Sequence, residues 1–89
     1  MKKFDDHKYA QAWIDDTRSD GATLLISYRT VVIVVTPDGW LHCTGTYSAT
    51  TRRHIGWFMR LYGLSYHTAK ALYETETEMN IHTGEVRPL

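Results

Sequence analysis

Over residues 51–62 the apolar positions recur at helical spacing, about 100° per residue. Ile55, Phe58, Met59 and Tyr62 share one side, and Arg53, Trp57 and Arg60 share the opposite one. The first set predicts a face that packs on a core. The second places a tryptophan between two arginines where water should be. Residues 23–36 show a different pattern, an almost unbroken run of Leu, Ile and Val with β-branched character. The Val-Ile stretch at 31–35 predicts burial on both faces and a central place in a sheet. A hairpin turn at Arg29-Thr30 would need positive φ, which neither residue favours, so one long strand, bent or bulged near 27–30, is expected. Thr36-Pro37-Asp38-Gly39 has turn chemistry, and residues 40–47 return antiparallel.

The flanks add helices. Asp5 or Asp6 caps a first helix running to about Asp16, with Tyr9 and Trp13 four apart. Asp15 and Asp16 oppose the dipole at its end, so it should be short. Ser48, Thr50 and Thr51 cap the two-faced helix. Gly63 stops it at the C′ position with Leu64 folding back, and Ser65 caps a shorter helix over residues 66–73 with Tyr66, Ala69, Leu72 and Tyr73 inward. From Thr75 onward the period becomes two, with His82-Thr83-Gly84-Glu85 as a turn. An added C-terminal edge strand is favoured, because two strands alone make a marginal sheet. The expected fold is α+β: an N-terminal helix, a long antiparallel β-hairpin, two helices on one sheet face, and the edge strand.

Eighty-nine residues form a single domain, 1–89, with a small core. No apolar run is long enough to span a bilayer, and the N-terminus has no signal-peptide core. One cysteine, Cys43, excludes an internal disulfide and points to a reducing, cytoplasmic setting. Net charge is zero but unevenly spread. Between residues 21 and 70 Asp38 is the only acid, against Arg29, Arg52, Arg53, Arg60 and Lys70. Either the acidic ends fold against this basic middle, or the middle is kept for an anionic partner.

Candidate chemistry concentrates on the two-faced helix. Arg53, Trp57 and Arg60 have the composition of a binding hot spot, since a flat ring and guanidinium forks give contact area with directional bonds. Arg52 and Arg53 oppose the dipole in the first turn, so something should offset them. Pairing with the acidic first segment is one account. An anion site made of Thr50, Thr51, Arg52 and Arg53 with free backbone N–H groups is the other. The histidines His7, His42, His54, His67 and His82 lack ligand-pair spacing, so no metal is expected. Cys43 reads as core, with His42 on the other strand face. No phosphate-cradling loop or other cofactor motif exists, and an enzyme is not expected.

Ser27-Tyr28-Arg29-Thr30 and Tyr47-Ser48-Ala49-Thr50-Thr51-Arg52-Arg53-His54-Ile55, with Phe58 following, form two motifs, S-Y-x-T and Y-S-x-T-T-x-x-H-I. They resemble a pattern of small phage and mobile-element proteins of Gram-positive bacteria that have no assigned activity. The resemblance spans about the central half of the chain and implies a phage-type origin and no reaction. On that origin and size, the expected function is a non-enzymatic protein that binds a bacterial macromolecule, most concretely a host defence nuclease, as anti-CRISPR proteins do. Arg53, Trp57 and Arg60 are its expected contacts, and Trp57→Ala should abolish binding with little change in melting. The alternative is a nucleic-acid binder using the basic central segment. A homodimer through the edge strand or the aromatic patch is the further option.

Overall fold

Valine and isoleucine dominate Thr30–Val35, and the strand they form lies fourth in a sheet of seven. The computed structural model describes residues 2–3, 11–45 and 48–89. The strands are β1 (Lys2–Lys3), β2 (Ala12–Asp15), β3 (Thr23–Ser27), β4 (Thr30–Val35), β5 (Trp40–Cys43), β6 (Thr77–Asn80) and β7 (Val86–Pro88). Two helices, α1 (Ala49–Arg60) and α2 (Tyr66–Thr75), are inserted between β5 and β6. The sheet order follows the chain and every pairing is antiparallel.

Two expectations are corrected at the N-terminal side. Residues 12–15, placed in a helix by the Tyr9/Trp13 spacing, are strand β2. Ala12 and Ile14 are buried and Trp13 and Asp15 half-buried, which is strand alternation, and all four pair with β3. Residues 5–10 of that expected helix lie outside the described residues, and residues 11 and 16 are not helical. The single long strand is instead a hairpin, with Ser27 paired to Thr30 around Tyr28-Arg29. Tyr28 takes the left-handed conformation, φ +57°. That is unfavourable for an aromatic residue. The Tyr28 N–H donates to the Gln11 carbonyl at 2.6 Å, and its ring leans on His54 at 6.1 Å. Tertiary contacts thus set a turn that local preference disfavours. A register shift beyond Leu25 leaves Val32 as an extra, fully buried residue, bulging β4.

The register puts Ile14, Leu25, Ile33 and Cys43 in one row and Val35, Leu41 and Met79 in another, on one face. That face meets Ile55, Phe58 and Met59 of α1 and Ala69 and Leu72 of α2, and together they form the core. Val31 and Val34 point to the opposite face and are only half-buried, so β4 is central but fully covered on one side alone. Tyr73, expected inward on α2, is 43% exposed.

The turns hold as their chemistry demands. At 36–39 the Thr36 hydroxyl donates to Asp38 at 2.6 Å and accepts from the Trp40 N–H at 3.0 Å. Gly39 has φ +96°, and a Cβ there would lie 2.6 Å from His82. Asn80 joins this turn to the next: its amide donates to the Asp38 carbonyl, and its Oδ1 accepts from the His82 and Thr83 N–H groups. The favoured edge strand is β7. Its Arg87 bonds Glu78 at 2.6 Å and stacks 3.6 Å from the Trp40 ring centroid. No helix among the described residues is long and apolar enough to cross a membrane.

Candidate surface of helix α1

Helix α1 starts at Ser48, whose hydroxyl accepts from the Thr51 N–H at 3.3 Å. It ends in a Schellman motif. The Leu64 N–H donates to the Met59 carbonyl and the Gly63 N–H to the Arg60 carbonyl, both at 3.0 Å, with Gly63 at φ +72°. Leu64 folds back against the core. Between these stops the apolar face is buried as expected: Ile55, Phe58 and Met59 are fully enclosed, and Tyr62 packs edge-on against Phe58 at 5.4 Å.

On the outer side Arg53 and Arg60 are exposed and Trp57 is half-buried. The Arg53 guanidinium lies 5.0 Å from the centre of the Trp57 ring. An open groove of about 310 Å³ runs here, bordered by Arg52, Arg53, Gly56, Trp57, Arg60 and, from α2, Tyr66, with no acid among its described lining residues. The structure therefore brings the three expected contact residues to one surface. Trp57 is neither fully covered nor fully free.

The acids do not neutralise that surface among the described residues. Five of them are engaged within their own turn, helix or hairpin: Asp15 accepts from Thr17, Asp38 from Thr36, Asp20 pairs with Arg18 at 2.8 Å, Glu74 with Lys70 at 3.8 Å and Glu78 with Arg87, and none of these partners is Arg53 or Arg60. The Arg18 hydrogen bonds hold the Asp20 carboxyl down at about 2. Asp15 and Asp38 are likewise lowered, first by the hydroxyls of Thr17 and Thr36. No ion pair among the described residues involves Arg53 or Arg60. Asp5 and Asp6 of the acidic first segment, whose pairing with the arginines was one of the two accounts, lie outside the described residues.

The expected anion set does not assemble as a unit. The Thr51 hydroxyl is turned inward and buried, 2.9 Å from the Ser27 hydroxyl and 3.2 Å from that of Ser48. The Thr51 N–H is already taken by Ser48. Thr50 is half-buried, and Arg52 and Arg53 are exposed.

Thr51 belongs to a network that sequence reasoning missed. Ser27 Oγ lies 2.9 Å from both Thr51 Oγ1 and His54 Nδ1. Ser48 donates to the Thr51 hydroxyl, and the Thr51–Ser27 and Ser27–His54 bonds continue the network into the interior, the last with a direction set by the histidine tautomer. A serine hydroxyl at hydrogen-bond distance from a histidine has the geometry of an activated nucleophile. Here Ser27 is 2% and His54 0% exposed, so no substrate reaches them. The network is a brace. It ties the β3–β4 hairpin to α1, and the braced His54 ring sits between Tyr28 and Trp57, 6.1 Å from each. Its signal in the sequence was the motifs themselves, since Ser27 belongs to the first and Ser48, Thr51 and His54 to the second.

Cys43 is buried in the core, its thiol donating to the Gly45 carbonyl at 3.2 Å, and burial pushes its pKa up, the reverse of a reactive thiolate. No cluster of three His, Cys, Asp or Glu residues able to hold a metal occurs among the described residues.

No curated protein and no solved structure matches this chain. A family model does match, over residues 4–79, a range that holds the brace, the outer face of α1 and all of α2. The chain therefore belongs to a family of unknown function, DUF8033.

Proposed function

We propose that this protein is a non-enzymatic binding module and that the outer face of α1, with Arg53, Trp57 and Arg60, is its contact surface. One observation carries the reading. Arg53 and Arg60 are exposed, form no ion pair among the described residues, and flank a half-buried tryptophan on a groove. Folding gains little from such an arrangement, whereas binding gains an aromatic anchor with two directional cations. Behind it, the Ser27–Thr51–His54 brace gives Trp57 a fixed backing, as a preorganised contact requires.

The nucleic-acid alternative calls on Arg29, Arg52, Arg53, Arg60 and Lys70 together. Lys70 is paired with Glu74 on α2, and Arg29 sits at the β3–β4 turn. Only the three arginines of α1 border the groove, which favours a protein partner. On the phage-type origin that the central motifs resemble, that partner is a host defence nuclease in the bacterial cytoplasm.

Affinity capture from a Gram-positive extract tests the reading, run with wild type, Trp57→Ala and Arg53→Gln/Arg60→Gln in parallel. The proposal predicts a partner retained by wild type and lost with both variants. Capture that persists in both variants would exclude this face. Because Trp57 is half-buried, its replacement carries a stability cost, so the arginine pair is the cleaner probe.

A further inference from the structure

Gly56 stands in the middle of α1, where glycine is the less favourable choice because it costs backbone entropy that alanine does not. Such a residue needs a reason. Its φ is not positive, so the backbone does not demand it. Close packing among the described residues does not demand it either: a Cβ built there would meet only Tyr66 Cβ of these, at 3.6 Å, an ordinary van der Waals contact. Alanine would fit the fold. What the missing side chain does leave is an open floor in the groove between Arg52, Arg53 and Arg60, beside Trp57.

Among the described residues, the chemistry around that floor is one-signed. Three guanidinium groups border it, and no described lining residue is acidic. Arg53 is stacked on the Trp57 ring, which orients its planar fork. An oriented fork matches a carboxylate through two parallel hydrogen bonds. The same stacking argues against bases as ligands. Arg53 covers the Trp57 ring and the buried His54 ring lies 6.1 Å away, which leaves the half-buried Tyr66 as the one other aromatic ring among the described groove residues.

Resting on the binding-face reading above, we infer that the groove takes an extended acidic segment of a protein partner, its backbone crossing Gly56 and its carboxylates received by Arg53 and Arg60. Glycine is there because a main chain must come close.

The test is a titration of labelled full-length protein, following the Gly56 amide and the Trp57 indole N–H by NMR. The probes are a capped hexaglutamate peptide, the matching hexaglutamine, and a ten-nucleotide oligo-dT. Saturable shifts with hexaglutamate, and none with hexaglutamine, are expected. Arg53→Gln/Arg60→Gln should weaken binding at least tenfold. Gly56→Ala should raise the melting temperature and yet weaken binding at least tenfold. Hexaglutamate that leaves both reporters unmoved, or that binds Gly56→Ala as well as wild type, overturns the inference. So does oligo-dT binding more tightly than the peptide, or a Gly56→Ala protein that melts lower, since packing would then explain the glycine. If the peptide fails while Arg53/Arg60-dependent capture of a protein persists, the acidic-segment assignment alone falls. If both fail, the binding face falls with it.

Discussion

Ser27 and His54 look, by distance alone, like the start of a catalytic pair, and their burial turns them into scaffolding. The cost of removing one member follows from what it leaves behind. Ser27→Ala strands His54 Nδ1 and takes a partner from the Thr51 hydroxyl, both in the interior. A buried polar group without its partner costs about 1–3 kcal/mol. Urea unfolding of Ser27→Ala should show that loss as a lower midpoint at unchanged slope, and a midpoint equal to wild type would show that the network is not a brace. Cys43 makes an independent prediction. Its thiol ionises less readily folded than unfolded, so ionisation opposes the fold as pH rises through the ordinary thiol range. Iodoacetamide at pH 8.5 should label it slowly in buffer and rapidly in urea. Rapid labelling of the folded protein would place the thiol at the surface. Single-residue roles were only partly legible in the sequence. Cys43 as core could be read from its neighbours on the strand. The Ser27–His54 contact could not, because 27 positions separate the two residues and only the fold brings them together.

At the scale of elements, helix α1 was legible because every local signal agreed: a serine cap, apolar residues at helical spacing, and Gly63 with Leu64 as the stop. The Schellman end is testable on its own. No described residue lies within 4 Å of a Cβ at Gly63, so Gly63→Ala meets the left-handed backbone cost of about 1–2 kcal/mol. For a domain of this size that is a fall of roughly 4–8 °C in Tm per kcal/mol. An unchanged Tm would mean the helix ends in some other way. The elements misread were those in which local and tertiary preferences disagree. Trp13 has helical spacing from Tyr9, but Ala12 and Ile14 also alternate with Trp13 and Asp15, and pairing with β3 selected the strand. Local φ preference disfavours a β3–β4 turn at Tyr28-Arg29, yet Tyr28 accepts +57° with Gln11 and His54 as partners. Short segments with two consistent periods are decided by what they pack against, which a sequence does not display.

For the molecule as a whole, the sheet meander and the two inserted helices divide the labour. One sheet face and the inner sides of α1 and α2 make the core, and the brace fixes α1 to the β3–β4 hairpin. The charges sort in the same way. Every ion pair among the described residues joins near neighbours in sequence or across one hairpin, while Arg53 and Arg60 remain at the surface beside Trp57. The basic middle and acidic ends could be read from the sequence. Whether the ends cover the middle was a question of three-dimensional placement, and among the described residues they do not. The central claim is that this face serves a partner and contributes little to the fold. Thermal unfolding of Arg53→Gln/Arg60→Gln beside wild type tests it most directly. Exposed cations without ion pairs are worth little to stability, so the account predicts a Tm within about 2 °C of wild type, less than a 1 kcal/mol change would produce. A fall of 5 °C or more would show that the two arginines hold the protein together, and would contradict it.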